Sequence, residues 1–119
     1  MPVLNLPAPT LANLASERAH RRDIGSTAIW HYPAANPKGK LLFIHGFRGD
    51  HHGLSATAGA MVDYEVLIPD LPGYGKTPEL KKHDLESYAD WLINLVDQIG
   101  PDVVVLGHSF GSLVVSKAV

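Results

Sequence analysis

Ser109 lies between two glycines in Gly107-His108-Ser109-Phe110-Gly111, and no other stretch of this 119-residue sequence is as well suited to covalent chemistry. The G-x-S-x-G spacing suits a sharp strand-to-helix turn. Residues two before and two after the serine must be small, or they would collide as strand and helix close on each other. Such a turn lifts the hydroxyl clear of the sheet, at a helix N-terminus whose N–H groups and dipole favour developing negative charge. The chemistry that follows is nucleophilic attack by Ser109 on an acyl carbon. A plain glycine-rich turn with a surface serine would carry the same five letters. The flanks favour the chemical reading, with "PDVVVLG" entering the turn as an apolar strand and "SLVVSKAV" leaving it as the start of a helix.

Positioning that serine requires a sheet. "KLLFIHG" (40–46), Glu65 to Ile68 and "PDVVVLG" (101–107) are short continuous apolar runs, as expected of strands buried on both faces of a parallel sheet. "STAIWHY" (26–32) reads as a further strand, and the proline-containing stretch after it as a loop. Between the second and third apolar runs, Leu85, Tyr88, Ala89, Leu92, Leu95, Val96 and Ile99 recur at steps of three and four, which predicts a helix. Asp84 is its expected N-cap, and Gly100-Pro101 its stop. A shorter helix is expected within 53–62. Strand, helix, strand, helix, strand gives two right-handed crossovers and an α/β fold with a mostly parallel sheet. Residues 1–25 read as an N-terminal arm with a helical turn between Thr10 and Arg21, and 26–119 as the α/β domain.

In such sheets ligands sit beyond the carboxyl ends of the strands. Three motifs fall there: "HGFRGDHHG" after the first apolar strand, "DLPGYGKT" after the second and "GHSFG" after the third. On these residues the chain resembles the N-terminal half of an α/β-hydrolase-fold enzyme, from the group whose oxyanion loop begins His-Gly. The likeness runs from about Ser26 to Val119. It implies Ser109 as nucleophile, with the backbone N–H groups of Phe47 and Phe110 as the oxyanion hole. His45, Gly46, Gly107, His108 and Gly111 are its supporting residues, His45 bracing the oxyanion loop by hydrogen bonding. Asp70, in the family's Asp-x-Pro-Gly-x-Gly segment, is implied to shape a loop rather than to react. Epoxide hydrolases and haloalkane dehalogenases of this fold use an aspartate as nucleophile. A serine here points instead to ester, thioester, amide or carbon–carbon bond cleavage through an acyl-enzyme. In this family the triad acid and then the histidine follow the serine. The sequence ends ten residues after Ser109, so the resemblance implies a fold truncated after the elbow helix begins, an inactive fragment of a parent enzyme.

The remaining histidines carry less. His108 is expected to point away from its neighbour Ser109, because successive side chains alternate on a strand end. Asp50, His51 and His52 look like a metal cluster in print, but adjacent histidines in a glycine-rich loop rarely converge on one ion, so no metal is assigned. Arg48, Asp50 and His51 are expected at the pocket mouth. His20, His31 and His83 read as surface or packing residues. Lys plus Arg number 10 against 12 Asp plus Glu, a formal net charge of -2, which argues against nucleic acid as partner. There is no cysteine, hence no disulfide or thiolate site. No secretory signal and no apolar run of membrane-spanning length is visible, so a cytoplasmic location is expected. The function expected is a serine hydrolase of esterase type, acting on a small-molecule acyl substrate without a cofactor. The alternatives are an acyltransferase of the same fold and a non-catalytic binding protein built on it.

Overall fold

A computed structural model describes residues 19–46 and 57–119. Along the chain run β1 (His20–Arg21), β2 (Ile29–Tyr32), β3 (Lys40–Ile44), β4 (Glu65–Pro69), α1 (Leu85–Ile99), β5 (Val103–Gly107) and α2 (Phe110–Ala118). Residues 57–60 are also helical, within the stretch where a short helix is expected. The strands form one sheet in the order β1-β2-β4-β3-β5. β3 pairs in parallel with both β4 and β5, whereas β2 runs antiparallel to β4 and β1 antiparallel to β2. The sheet is therefore mixed, with its parallel part under the three motifs.

Side-chain alternation divides the core in two. Leu42 and Ile44 of β3 and Leu67 of β4 pack with Tyr88, Leu92 and Leu95 of α1 and Val114 of α2. Leu41 and Phe43, with Val66 and Ile68, face the opposite side and meet Ala58. Period-two burial on both faces explains why these strands read as unbroken apolar runs. Helix α1 buries its predicted stripe of Tyr88, Ala89, Leu92 and Leu95. Asp84 caps it, its Oδ1 accepting the Ser87 N–H at 2.7 Å. Gly100 ends it, at φ 126°, with its N–H on the Val96 carbonyl.

Three expectations change. The helical turn expected between Thr10 and Arg21 lies mostly outside the described residues; at its end His20–Arg21 is a strand, with His20 opposite His31 and Arg21 opposite Trp30, because long-range ladder bonds override local helix propensity there. The strand predicted from Ser26 starts at Ile29, because Ile24 and Thr27 exchange two backbone hydrogen bonds of 3.0 Å around a turn carrying Gly25 at φ 59°. β5 is the edge of the described sheet, as the partial fold implies, but it is not buried on both faces as its apolar run predicts. Val103 and Val105 pack toward the helices, while Val104 (55%) and Leu106 (43%) are exposed on the other face. Among the described residues no helix is long and apolar enough to cross a membrane.

Candidate active site

The parallel register places the exits of β3 and β5 side by side, Ile44 opposite Gly107. One residue on, the His108 N–H donates to the Ile44 carbonyl at 2.9 Å. The chain then turns at Ser109, φ 58° and ψ -122°, the one non-glycine residue with positive φ among those described. An L-residue held there stores about 1–3 kcal/mol of strain, which the packing around it must over-determine. Helix α2 starts at Phe110 and closes its first turn with Gly111 N–H to His108 O and Ser112 N–H to Ser109 O, both 3.0 Å. Ser109 makes no side-chain capping bond to it; instead the Ser112 hydroxyl donates to the Ser109 carbonyl at 2.6 Å. The Ser109 hydroxyl is thus kept off the helix end, beside N–H groups that bear the positive end of the helix dipole.

Small residues enforce this geometry. A Cβ on Gly107 would lie 2.6 Å from the Gly111 carbonyl oxygen and from the Ser112 Cα. One on Gly111 would run into the Ile44 carbonyl. One on Gly46 would sit 2.7 Å from the Ser109 Cβ and 3.1 Å from its Oγ, so the loop after β3 passes directly over the serine.

His45, only 2% exposed, ties that loop down. Its Nδ1 lies 2.9 Å from the Gly46 carbonyl oxygen, and its Nε2 accepts the Leu71 N–H at 2.9 Å. Tyr74 meets the ring edge-on at 5.7 Å. Leu71 belongs to the Asp70-Leu71-Pro72-Gly73-Tyr74-Gly75 segment, which is organised around the fully buried Asp70. The Lys76 N–H donates to Asp70 Oδ2 at 3.0 Å, and Gly75, at φ 51°, leaves no room for a Cβ beside that carboxylate. The Asp70 N–H donates to the Ala28 carbonyl at 2.9 Å, and the Thr77 hydroxyl accepts the Ala28 N–H at 3.0 Å. The Asp70 loop is therefore closed on itself and tied to Ala28, the residue before β2.

The Tyr88 hydroxyl of α1 donates to the Pro72 carbonyl at 3.0 Å, and its ring meets Phe110 edge-on at 5.4 Å. Burial raises the phenol pKa, with Tyr74 and Glu79 adding to the effect. Tyr88 was legible as a core residue on the α1 stripe. Its hydroxyl, which needs a partner when buried, was the one sign that it also reaches a strand-end loop. The His45–Leu71 bond, across 26 residues, left no sequence signal.

Of the predicted site residues, Ser109, Phe110, His45, Gly46, Gly107, His108 and Gly111 converge at the ends of β3 and β5. Phe47, with Arg48, Asp50, His51 and His52, lies outside the described residues. Among the described residues no imidazole hydrogen-bonds the Ser109 hydroxyl, and no three His, Asp or Glu side chains group as metal ligands. A small hollow of ≈ 170 Å³ lined by Phe43, Leu106, Gly107 and His108 borders the elbow. A groove of ≈ 580 Å³ lies between the 24–27 turn and α1 and holds none of the predicted site residues.

Residues 41–119 match the sequence profile described as the alpha/beta hydrolase family. Over 79 residues the chain is 34% identical to 2-succinyl-6-hydroxy-2,4-cyclohexadiene-1-carboxylate synthase of Escherichia coli strain K12, covering 66% of this chain and 31% of that protein. It thus spans about a third of the length of the curated relatives it matches. Among solved structures, an epoxide hydrolase from Vigna radiata aligns with a TM-score of 0.75 at 20% identity, over 86% of this chain and 34% of that one. An esterase from Mycobacterium tuberculosis aligns at 0.72 and 19% identity, over 98% and 45% respectively. At those identities the two structures speak for the fold alone.

Proposed function

Because the chain belongs to the alpha/beta hydrolase family, we propose that Ser109 is the nucleophile of a serine hydrolase of esterase type, acting on a small-molecule acyl substrate. One observation carries the reading. Ser109 is held at φ 58° and ψ -122° with no capping bond, on a turn whose small neighbours leave no room for side chains. A serine with only a structural role at a helix start would cap the helix in extended backbone conformation. This one is strained and uncapped.

In the proposed reaction, Ser109 Oγ attacks the acyl carbon and forms a C–O bond while the carbonyl π pair moves to oxygen. The hydroxyl proton passes to a general base not assigned among the described residues. The N–H groups of Phe47 and Phe110 receive the oxyanion; losing one such donor typically costs about 3 kcal/mol of barrier. Collapse expels the alcohol or amine, which takes up the proton, and leaves an acyl-enzyme that water cleaves by the same steps. Phe110 suits its part as the first residue of α2, at the positive end of the helix dipole.

The reading is tested on the full-length protein with a fluorophosphonate probe and a chromogenic ester. Covalent labelling and ester turnover are expected, both abolished in Ser109→Ala. Labelling that persists in that variant, or its absence from the wild type, would refute the assignment. The similarity to a synthase favours a second reading, in which the same serine serves a reaction other than hydrolysis. Serine-dependent labelling without turnover of any ester, thioester or amide would select it.

A further inference from the structure

We propose that Ser112 is a positioning residue, a side-chain latch that keeps Ser109 in its strained conformation; this rests on the assignment of Ser109 above. The strain lies in one torsion. At φ 58° Ser109 sits in the left-handed region, where the relaxed ψ is about +30 to +60°. Its ψ of -122° is roughly half a turn away from that basin. Relaxation therefore needs no change in φ, only a swing of the Ser109 carbonyl to the other side of the chain. The residue before it is fixed, the His108 N–H being bonded to the Ile44 carbonyl and the His108 carbonyl to the Gly111 N–H. The peptide between Ser109 and Phe110 is thus the unit that a relaxation would turn.

Two bonds from Ser112 oppose that turn. Its N–H donates to the Ser109 carbonyl at 3.0 Å and its hydroxyl at 2.6 Å. A carbonyl oxygen can only accept, so the hydroxyl's one proton is committed to the shorter bond. Ser112 is exposed, so burial does not compel this choice; water would serve its hydroxyl as well. The consequence reaches the reaction. In a planar trans peptide the carbonyl and the following N–H point in opposite directions. Turning this peptide would bring the Ser109 carbonyl oxygen to the side held by the Phe110 N–H, and set a lone pair where the reaction assigned above needs a donor. One hydroxyl therefore secures both the backbone of the nucleophile and the direction of the amide beside it.

Two β-branched variants of one shape separate the hydroxyl from its surroundings. In a helix a threonine hydroxyl reaches the carbonyl three residues back, so Ser112→Thr keeps the latch and Ser112→Val removes it. In the full-length protein, the rate of fluorophosphonate labelling per folded molecule is expected to fall roughly 2- to 12-fold in Ser112→Val, the range that one ordinary hydrogen bond converts to. Ser112→Thr is expected to recover most of that loss at a similar helix propensity. Urea denaturation supplies the folded fraction of each. Equal rates in the two variants, or a faster Ser112→Val, would overturn the proposal, because a merely structural hydroxyl would change stability and leave the rate of the folded molecule alone. Carbonyl ¹³C NMR supplies an arm independent of labelling: the Ser109 resonance should move upfield in Ser112→Val relative to Ser112→Thr, as a carbonyl does on losing a donor. No such movement would overturn the latch itself. If the wild type takes no label while that movement is present, the Ser109 assignment fails and the latch on its backbone stands.

Discussion

Replacing Gly111 by alanine should separate the elbow from the sheet beneath it. The new Cβ would run into the Ile44 carbonyl oxygen and lie 2.6 Å from the His45 carbonyl oxygen and 2.7 Å from the Ile44 carbonyl carbon. All three are main-chain atoms at the exit of β3, so no side-chain torsion relieves the clash. Relaxing the His45 contact alone, from 2.6 Å to the ordinary 3.4 Å, needs a shift of about 0.8 Å of α2 away from β3. Overpacking of this kind costs about 1–3 kcal/mol, and backbone against backbone places Gly111→Ala in the upper half of that range. A displacement near 1 Å at a reacting group costs about 100-fold in rate. Gly39→Ala is the control: its Cβ would meet only Tyr64 ring carbons, at 3.6 and 3.7 Å, and should change stability by less than about 0.5 kcal/mol. Urea denaturation measures the first quantity and fluorophosphonate labelling the second. A Gly111→Ala protein as stable and as quickly labelled as Gly39→Ala would refute the argument that close helix–strand approach sets the serine's position.

Four further outcomes are expected. Ser109→Gly should stabilise the fold by about 1–3 kcal/mol by releasing backbone strain, while Ser109→Ala, which keeps the Cβ, should not; thermal denaturation of the pair decides. Leu42→Ala, in the face of the sheet under α1 and α2, should cost about 2–5 kcal/mol, against less than about 0.5 kcal/mol for Ile93→Ala on the exposed side of α1, both read from urea midpoints. Thr27→Val removes the oxygen that accepts the Trp91 indole N–H at 2.9 Å and should cost about 1 kcal/mol, with a shift in tryptophan emission. The Ser87 hydrogen bonds hold the Asp84 carboxyl below the usual carboxylate range. A group whose pKa is lowered on folding adds stability above its unfolded pKa and loses it as pH falls through the folded one. Acid unfolding of Asp84→Asn should therefore show a shallower loss between neutral and acid pH than the wild type.

The sequence was most legible where one local pattern decided the structure. The α1 stripe, the Asp84 cap and the burial of Leu41 to Ile44 and of Val66 to Ile68 on both faces of the sheet follow from local pattern and need no tertiary knowledge. The Gly-x-Ser-x-Gly spacing likewise forecast the close approach of Gly107 and Gly111. What escaped was decided by distant partners. β1 forms because His20 and Arg21 find β2, and the exposure of Val104 and Leu106 depends on what covers that face of β5, which no run of valines encodes. His45 was expected to brace its loop, yet its anchor is the amide of Leu71, a backbone group that every residue type offers alike. For the same reason Asp70 could be assigned to loop shaping only by resemblance, and its bonds to Lys76 and Ala28 supply the physical cause.

The central claim is that Ser109 is a nucleophile mounted beside two backbone donors. A crystal structure of the protein after reaction with a fluorophosphonate tests it most directly. Phosphorus should be bonded to Ser109 Oγ, with the phosphonyl oxygen about 3 Å from the amide nitrogens of residues 47 and 110. Phosphorus on another side chain, or a phosphonyl oxygen turned away from both amides, would contradict the account.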